Sequence, residues 1–268
     1  MLRRVTTALL LLALIVPAIL YGGILYFLYV AFFIVMACRE YVQMFRLRSF
    51  QPSAAVTLGG TLALLAARAY RPEWTEPVLT ALILVAMTYH LVAYECGRHE
   101  AALDLVISVG GLVYLGWIAG YMLDLRALPN GGWWVMFVFP VVWLADSGAY
   151  VIGARYGRHK MSRLLSPKKS WEGFFAGALM GTLYGGFFAY AYTRFGPLHV
   201  TIWQGLLLGL VLSTVTTLGD LGESLFKRFA EVKDSGSFLP GHGGAFDRID
   251  SLIWAAVIGV TWIQLFHL

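Results

Sequence analysis

Runs of about 20 apolar residues recur from one end of this sequence to the other, separated by short polar breaks. A helix needs about 20 apolar residues to cross the hydrocarbon core of a bilayer. Only helices and closed barrels can cross lipid, because every backbone polar group there needs a partner within the protein. The runs are continuous and lack the two-residue alternation of barrel strands. The sequence therefore predicts an all-α, polytopic integral membrane protein.

About nine transmembrane helices are expected. Only 13% of the residues are charged, whereas soluble domains carry about 25%. Arg3 and Arg4 precede an apolar stretch that could pass for a signal peptide, but no small-residue cleavage site leads into a polar mature domain, so we expect a retained first span. The predicted spans are residues 5–20, 22–38, 53–69, 75–94, 102–123, 131–153, 171–193, 201–219 and 251–267.

The distribution of lysine and arginine predicts the orientation in the membrane. With nine spans, 16 of the 20 basic residues fall on the side of the N-terminus and four on the other side. Basic residues accumulate on the cytoplasmic side of a membrane. We therefore expect a cytoplasmic N-terminus and a C-terminus on the opposite side.

The polar segments differ between the two parts of the chain. Up to about residue 125 the loops are short and chemically plain. We therefore expect residues 1–125 to form transmembrane helices that serve packing, dimer contacts or lipid access. The specific polar segments follow, which predicts a catalytic region at 126–268. The net charge of +5 fits an anionic leaflet or an anionic substrate better than a nucleic acid. Two distant cysteines give no zinc or disulfide pattern.

Two of the polar clusters lie in or beside predicted spans. Asp146 lies inside the run 131–153, roughly 13 Å from Arg155 if the helix is regular. An acid inside a membrane span usually has a partner or a function, and a pair made only for packing is the alternative. The second cluster contains Lys168 and Lys169, which suit a polyanionic ligand or an ordinary basic loop. Ser166 or Ser170 is expected to cap the helix that follows, with Glu172 in its first turn.

The third cluster carries acids, bases and glycines together. On a helix, Asp220 and Glu223 share a face, and Ser224 and Lys227 continue along it. The pair Asp247 and Asp250 repeats this spacing where the last span begins. Mg²⁺ binds one or two carboxylates together with substrate phosphates, and the glycines around His242 permit close backbone approach to a ligand. The cluster therefore indicates phosphate chemistry, the alternative being a solvated loop of mixed charge. The remaining histidines are assigned no role.

The stretch from Ser224 to Asp250 resembles the signature of the phosphatidate cytidylyltransferases, also called CDP-diacylglycerol synthases. The Asp146, Lys168–Lys169 and Asp220 segments are similar to family features as well, so the resemblance covers about residues 140–250. The departure is Ala245, where the family usually has a larger hydrophobe. The matching residues are Ser224, Lys227, Arg228, Lys233, Asp234, Pro240, His242, Gly243, Gly244, Asp247, Arg248 and Asp250.

The resemblance implies that CTP and phosphatidate react to CDP-diacylglycerol and pyrophosphate with Mg²⁺ as cofactor, and it leaves open a nearby monovalent cation such as K⁺. It also implies a homodimer, with the site open to the cytoplasm and to membrane lipid. A bacterial host would place the protein in the inner membrane, and the composition predicts no nucleic acid as partner. The resemblance places the metal at Asp220 and Asp247, while Asp146, Glu223 and Asp250 are expected to ligate metal or to orient basic side chains. The expected catalytic residues are Asp220, Asp247, Lys227, Arg228 and Arg248, of which the basic ones neutralise phosphate charge. The expected substrate-binding residues are Lys168, Lys169, Ser224, Lys233, His242, Gly243 and Gly244.

Two other functions remain open from the residues alone. A CTP-dependent kinase of a lipid alcohol such as a polyprenol would also use CTP in a membrane, but it would release CDP instead of pyrophosphate. A secondary transporter could use an intramembrane acid such as Asp146. Transporters usually show related halves, whereas the polar residues here crowd one half of the chain.

Overall fold

The computed structural model describes residues 13–238 and 243–268 of the chain. Within these ranges the protein is almost wholly helical, with one two-stranded sheet. The predicted class of an all-α, polytopic membrane protein is confirmed. The α-helices are α1 Gly23–Arg46, α2 Gly60–Tyr70, α3 Thr75–Glu95, α4 Ala101–Gly111, α5 Tyr121–Ala127, α6 Gly131–Tyr156, α7 Trp171–Phe195, α8 Ile202–Val215, α9 Thr217–Phe229 and α10 Phe246–Phe266.

Helical turns wider than those of an α-helix precede or connect some of these helices. The segments Ala55–Gly59 and Leu112–Ile118 form wide turns of the π type, before α2 and between α4 and α5. In the described part of the chain, seven helical runs are long and apolar enough to cross a membrane, and Ala55–Tyr70 is a shorter apolar run. Seven of the nine predicted spans correspond to the long runs and 53–69 to the shorter one. The predicted span 5–20 lies mostly outside the described residues, although 13–21 is helical.

A short hairpin between α6 and α7 was not predicted. Strand β1, Lys160–Ser162, pairs antiparallel with strand β2, Ser166–Ser170. Strands of three and five residues carry too few side chains to show an alternating pattern. The basic segment that the sequence analysis treated as a loop therefore has a defined strand geometry.

The chain forms two compact units. The first unit consists of Met1–Asp124 and Phe226–Ile249, and the second of Leu125–Leu225 and Asp250–Leu268. This division does not test the predicted roles of residues 1–125 and 126–268, which stay a prediction.

In the first unit, an aromatic cluster packs the end of α9 against α1. The ring of Phe226 lies 5.4 Å from that of Tyr41 and 5.9 Å from that of Phe45, measured between centroids. Phe229 also packs on Phe45, at 5.4 Å. Each aromatic pair adds about 0.5–1.5 kcal/mol beyond the burial of apolar area. Lys227, between these two aromatic residues, is thereby fixed in position.

In the second unit, a stripe of glycines brings α7 close to its neighbours. Glycine stands at positions 173, 177, 181 and 185, one on every turn of a single face of α7. A Cβ at Gly177 would lie 3.1 Å from the carbonyl oxygen of Ala145 in α6, and one at Gly185 would overlap the carbonyl oxygen of Gly205 in α8. Such small-residue faces let helix backbones approach within a membrane, where dispersion contacts replace the hydrophobic driving force.

Candidate active site

Lys169 and Asp220 form an ion pair in the second unit. Lys169 Nζ lies 2.8 Å from Asp220 Oδ2, and their side chains are 26% and 37% exposed. Asp220 stands in the first turn of α9. Ser224, one turn further along, lies with its hydroxyl 3.4 Å from Asp220 Oδ1. The predicted helical arrangement of Asp220 and Ser224 is confirmed, and Lys169 is the cation that faces it.

The hairpin explains why Lys169, rather than Lys168, meets Asp220. Successive residues of a strand point to opposite faces, and along β2 Lys168 is exposed while Lys169 is partly buried. The strand ends at Ser170, whose hydroxyl accepts a hydrogen bond of 3.2 Å from the Gly173 amide. Ser170 therefore caps α7, as one of the two predicted capping residues. The cap fixes the end of the strand that presents Lys169.

Asp146 belongs to the same electrostatic environment. It lies on α6 within electrostatic reach of both Lys169 and Asp220. The structure thus brings Lys169 and Asp220 together from two separate stretches of sequence, and Asp146 lies in the same unit. The expectation that Asp146 has a partner or a function stays a prediction, as does its role as a metal ligand.

A second cluster lies in the first unit and centres on Asp247. Its Oδ1 accepts a hydrogen bond of 2.7 Å from Lys227 Nζ, and both side chains are 11% exposed. Its Oδ2 lies 3.0 Å from the Ser235 amide nitrogen, 2.9 Å from the Ser235 hydroxyl and 2.8 Å from the Gly244 amide nitrogen. The carboxylate thus joins α9, the segment after it and the start of α10.

Two glycines give this carboxylate its room. Gly243 has a φ of +83°, a left-handed conformation that favours glycine. A Cβ there would lie 2.6 Å from Asp247 Oδ2. A Cβ at Gly244 would collide with the Ser235 hydroxyl and with the carboxylate of Glu40. Gly243 and Gly244 therefore make room for the carboxylates of Asp247 and Glu40, and their predicted role in close approach to a ligand stays a prediction.

Glu40 is a functional candidate that the sequence analysis missed. It lies on α1, is 5% exposed, and accepts hydrogen bonds of 2.9 Å from the amides of Ala245 and Phe246. The Ser235 hydroxyl lies 2.9 Å from its other side, at Oε2. The available signal was a single acid near the end of an otherwise apolar run.

His159, which was assigned no role, lies with Nδ1 2.6 Å from Glu172 Oε1.

The remaining predicted site residues divide by exposure. Glu223 and Asp250 are buried, at 1% and 8% exposed, and Asp250 Oδ1 accepts a hydrogen bond of 2.7 Å from the Ser251 amide. His242 lies outside the described residues. The exposed bases are Lys168, Arg228, Lys233 and Arg248.

The acids can be tested for their fit to a metal ion. Among residues 13–238 and 243–268, no group of three or more His, Cys, Asp or Glu side chains is placed to hold a metal alone. Mg²⁺ does not need such a cage, because it binds one or two carboxylates together with water and substrate phosphates. The partly exposed Asp220, with Asp146 nearby, fits this mode. The oxygens of Asp247 are already engaged by donors, so its role as a metal ligand stays a prediction.

The fold and these clusters define a class of protein: a polytopic helical membrane protein with paired lysines and carboxylates suited to binding phosphate. The Cytidylyltransferase family model matches residues 2–266. The chain therefore belongs to the cytidylyltransferase family and is an enzyme of the nucleotidyltransferase class.

Similar proteins from three bacteria carry the same name, phosphatidate cytidylyltransferase. That of Staphylococcus epidermidis is 34% identical over 265 residues, covering 97% of this chain and 98% of its own length. That of Synechocystis sp. is 32% identical over 293 residues, covering 98% and 96%. That of Staphylococcus aureus is 30% identical over 264 residues, covering 97% and 98%.

Proposed function

We propose that this enzyme transfers CMP from CTP to phosphatidate, giving CDP-diacylglycerol and pyrophosphate, and that it requires Mg²⁺. The observation that carries the proposal is the match to proteins named phosphatidate cytidylyltransferase over nearly the full length of both chains. The paired lysines and carboxylates at the signature positions support it, because they suit a reaction between two phosphate-bearing substrates.

The reaction needs charge neutralisation more than it needs a general base. A phosphate oxygen of phosphatidate, already ionised at neutral pH, attacks the α-phosphorus of CTP. The bond from that phosphorus to the bridging oxygen of the β-phosphate breaks, and pyrophosphate leaves with the bonding electrons. Mutual repulsion of the two polyanions is the main obstacle, so we assign the basic residues to phosphate binding. Arginine suits bidentate phosphate contacts, and lysine acts as a point charge.

In the second unit, we assign Lys169 to a substrate phosphate and Asp220, with Asp146, to Mg²⁺. The Lys169–Asp220 pair is partly exposed. A substrate phosphate can therefore take the place of Asp220 beside Lys169, and a cation the place of Lys169 beside Asp220, without first exposing a buried charge. Bound Mg²⁺ would neutralise the nucleotide phosphates and stabilise the leaving pyrophosphate. A nearby monovalent cation such as K⁺ stays a prediction.

In the first unit, we assign Lys227 to phosphate charge, with Asp247 holding its ammonium group in place. Lys227 is buried at 9% exposure and its ammonium group is directed at Asp247, so its charge occupies a defined position. Arg228, Lys233 and Arg248 are exposed, and we assign them to attracting and binding the anionic substrates.

We further propose that the enzyme lies in the bacterial inner membrane as a homodimer, with its site facing the cytoplasm and no nucleic acid as partner. The bacterial relatives and the apolar helices support an inner-membrane location. The excess of basic residues on the side of the hairpin and of the segment 227–248 supports the orientation.

The experiment that tests the reaction uses purified full-length protein in lipid with phosphatidate, Mg²⁺ and CTP labelled separately at the cytidine and at the γ-phosphate. We expect the cytidine label in the lipid and the γ-label in pyrophosphate. Transfer of the γ-label to a lipid alcohol would instead identify a kinase. If neither label moved under varied conditions, the proposed function would be wrong and a transport assay would follow.

The role of Asp220 is tested by Asp220→Asn, with Asp124→Asn as the matched control. Asp124 is also part of an ion pair, with Arg68 at 2.6 Å, and its side chain is 31% exposed. We expect Asp220→Asn to lower kcat/KM by about 100-fold and to shift the Mg²⁺ dependence, because one carboxylate ligand is lost. Asp124→Asn should leave both unchanged. An Asp220→Asn enzyme with normal activity and a normal Mg²⁺ response would refute the assignment.

A further inference from the structure

We infer that Glu40 is a positioning residue for the reaction: from α1 it holds Ser235 and residues 245–247 in the arrangement that sets Asp247 against Lys227. This inference rests on the proposed function for its kinetic part only. Its structural part concerns contacts within the first unit.

The Glu40 carboxylate organises the start of α10. It accepts hydrogen bonds from the amides of Ala245 and Phe246, both at 2.9 Å. The first amides of a helix have no partner within the helix, and a negative charge there also interacts favourably with the helix dipole. Glu40, about 200 positions away in the sequence, therefore supplies the hydrogen-bond acceptors for the first amides of α10.

Burial makes these contacts necessary. Glu40 is 5% exposed, and in the described part of the chain no lysine or arginine forms a salt bridge with it. An isolated charge is very unfavourable in such a place unless hydrogen bonds replace its water. The two amides and the Ser235 hydroxyl supply that replacement. If Ser235 and residues 245–246 moved away, the Glu40 carboxylate would lose these partners together.

Ser235 connects Glu40 to Asp247. Its hydroxyl oxygen lies 2.9 Å from Glu40 Oε2 and 2.9 Å from Asp247 Oδ2. It also accepts a hydrogen bond of 3.3 Å from the Asp247 amide. Asp247 in turn accepts from Lys227 at 2.7 Å. A continuous set of polar contacts thus runs from α1 to the lysine that we assign to substrate phosphate.

Two glycines leave space for this arrangement. The three atoms nearest to a Cβ built at Gly236 all belong to the Glu40 side chain, beginning with Oε1 at 2.5 Å. A Cβ at Gly244 would also overlap the Glu40 carboxylate. Side chains at these positions would displace the carboxylate, so the backbone on both sides of it is shaped to accept Glu40.

The test compares Glu40→Gln with Glu231→Gln. The amide keeps the size of the glutamate side chain, but its NH₂ group replaces one acceptor with a donor that faces other donors. Glu231 undergoes the same change, yet its side chain is 73% exposed. We expect Glu40→Gln to lower kcat at least tenfold with less than a threefold change in KM for CTP, because the reacting groups are misplaced rather than removed. Glu231→Gln should match the wild type.

Hydrogen exchange supplies a readout that does not depend on activity. The amides of Ala245 and Phe246 are the donors to Glu40, so Glu40→Gln should accelerate exchange in the peptide covering 243–247. Glu231→Gln should leave it unchanged. Normal exchange in Glu40→Gln would overturn the inference, whatever its activity. Faster exchange with normal kcat would also overturn the positioning role.

Further outcomes separate this inference from the proposed function and from misfolding. If the wild type made no CDP-diacylglycerol, the proposed function would fail, while faster exchange in Glu40→Gln would still support the contact. If Glu40→Gln did not fold, Ser235→Ala would carry the test, since it removes the bridging hydroxyl and keeps Glu40. It should lower kcat and accelerate exchange at 243–247, and wild-type values for both would overturn the inference.

Discussion

Replacing Lys227 by methionine should destabilise the protein far more than the same change at Arg48. Lys227 Nζ lies 2.7 Å from Asp247 Oδ1, and both side chains are 11% exposed. Arg48 and Glu231 form a pair of similar length, but their side chains are 41% and 73% exposed. Both substitutions remove one positive charge and leave an apolar side chain, so burial is the main difference between them.

The magnitude follows from the distance and the burial. At an effective dielectric constant of about 20, two unit charges 2.7 Å apart attract by roughly 6 kcal/mol before desolvation is subtracted. Removing one partner of a buried pair lowers the free energy of unfolding by about 3–5 kcal/mol, and for an exposed pair the loss is about 0–1 kcal/mol. The Lys169–Asp220 pair is 26% and 37% exposed. We therefore expect Lys169→Met to fall between Lys227→Met and Arg48→Met.

The assay is a denaturant titration of purified protein in one detergent, followed by the fluorescence of its nine tryptophans. The double variant Lys227→Met/Asp247→Asn should lose less free energy of unfolding than the sum of the losses of the two single variants. The reason is that the second change removes the charge that the first leaves unpaired. Equal midpoints for Lys227→Met and Arg48→Met, or additive effects in the double variant, would refute the reasoning.

Two further predictions concern helix packing and capping. Gly185→Ala should destabilise the protein because the new methyl group overlaps the backbone of α8. Gly59 has a helical φ of −63°, and a Cβ there would meet nothing within 4 Å, so Gly59→Ala should stabilise the protein by about 0.5–1 kcal/mol. Thermal midpoints that move in the same direction for both variants would contradict this. Ser170→Ala should lower the free energy of unfolding by about 1 kcal/mol, because the Gly173 amide loses its acceptor. Ser166→Ala, on the same strand but capping no helix, is the control, and an equal loss there would contradict the assignment of the cap.

Much of the fold follows from local sequence patterns. A bilayer selects for length and hydrophobicity, so the runs 131–153 and 171–193 predicted helices that the structure places at Gly131–Tyr156 and Trp171–Phe195. The predicted span 201–219 was less accurate, because α8 ends at Val215 and α9 begins at Thr217. Hydropathy measures how apolar a segment is, so it does not detect a break between two consecutive helices. It is also a weak guide to the second helix, which is amphipathic.

The candidate site was predictable only in part. Spacing on a helix brought Asp220 and Ser224 together correctly, because neighbours at i and i+4 depend on the helix alone. Lys169 could not be assigned to Asp220 in this way, because their contact depends on a hairpin with no alternating pattern. Glu40 was missed for a related reason: its partners are 195 to 206 residues away in the sequence.

The pairing of Glu40 with the segment after α9 changes how the long signature should be interpreted. Residues Phe226–Ile249 belong to the same compact unit as the first 124 residues, while Asp250 belongs to the other unit. A continuous motif in the sequence is thus divided between two packed bodies. The conformation around Asp247 depends on a carboxylate from α1 as well as on the signature itself. Substitutions in the apolar N-terminal helices that move Glu40 should therefore alter turnover without changing any signature residue.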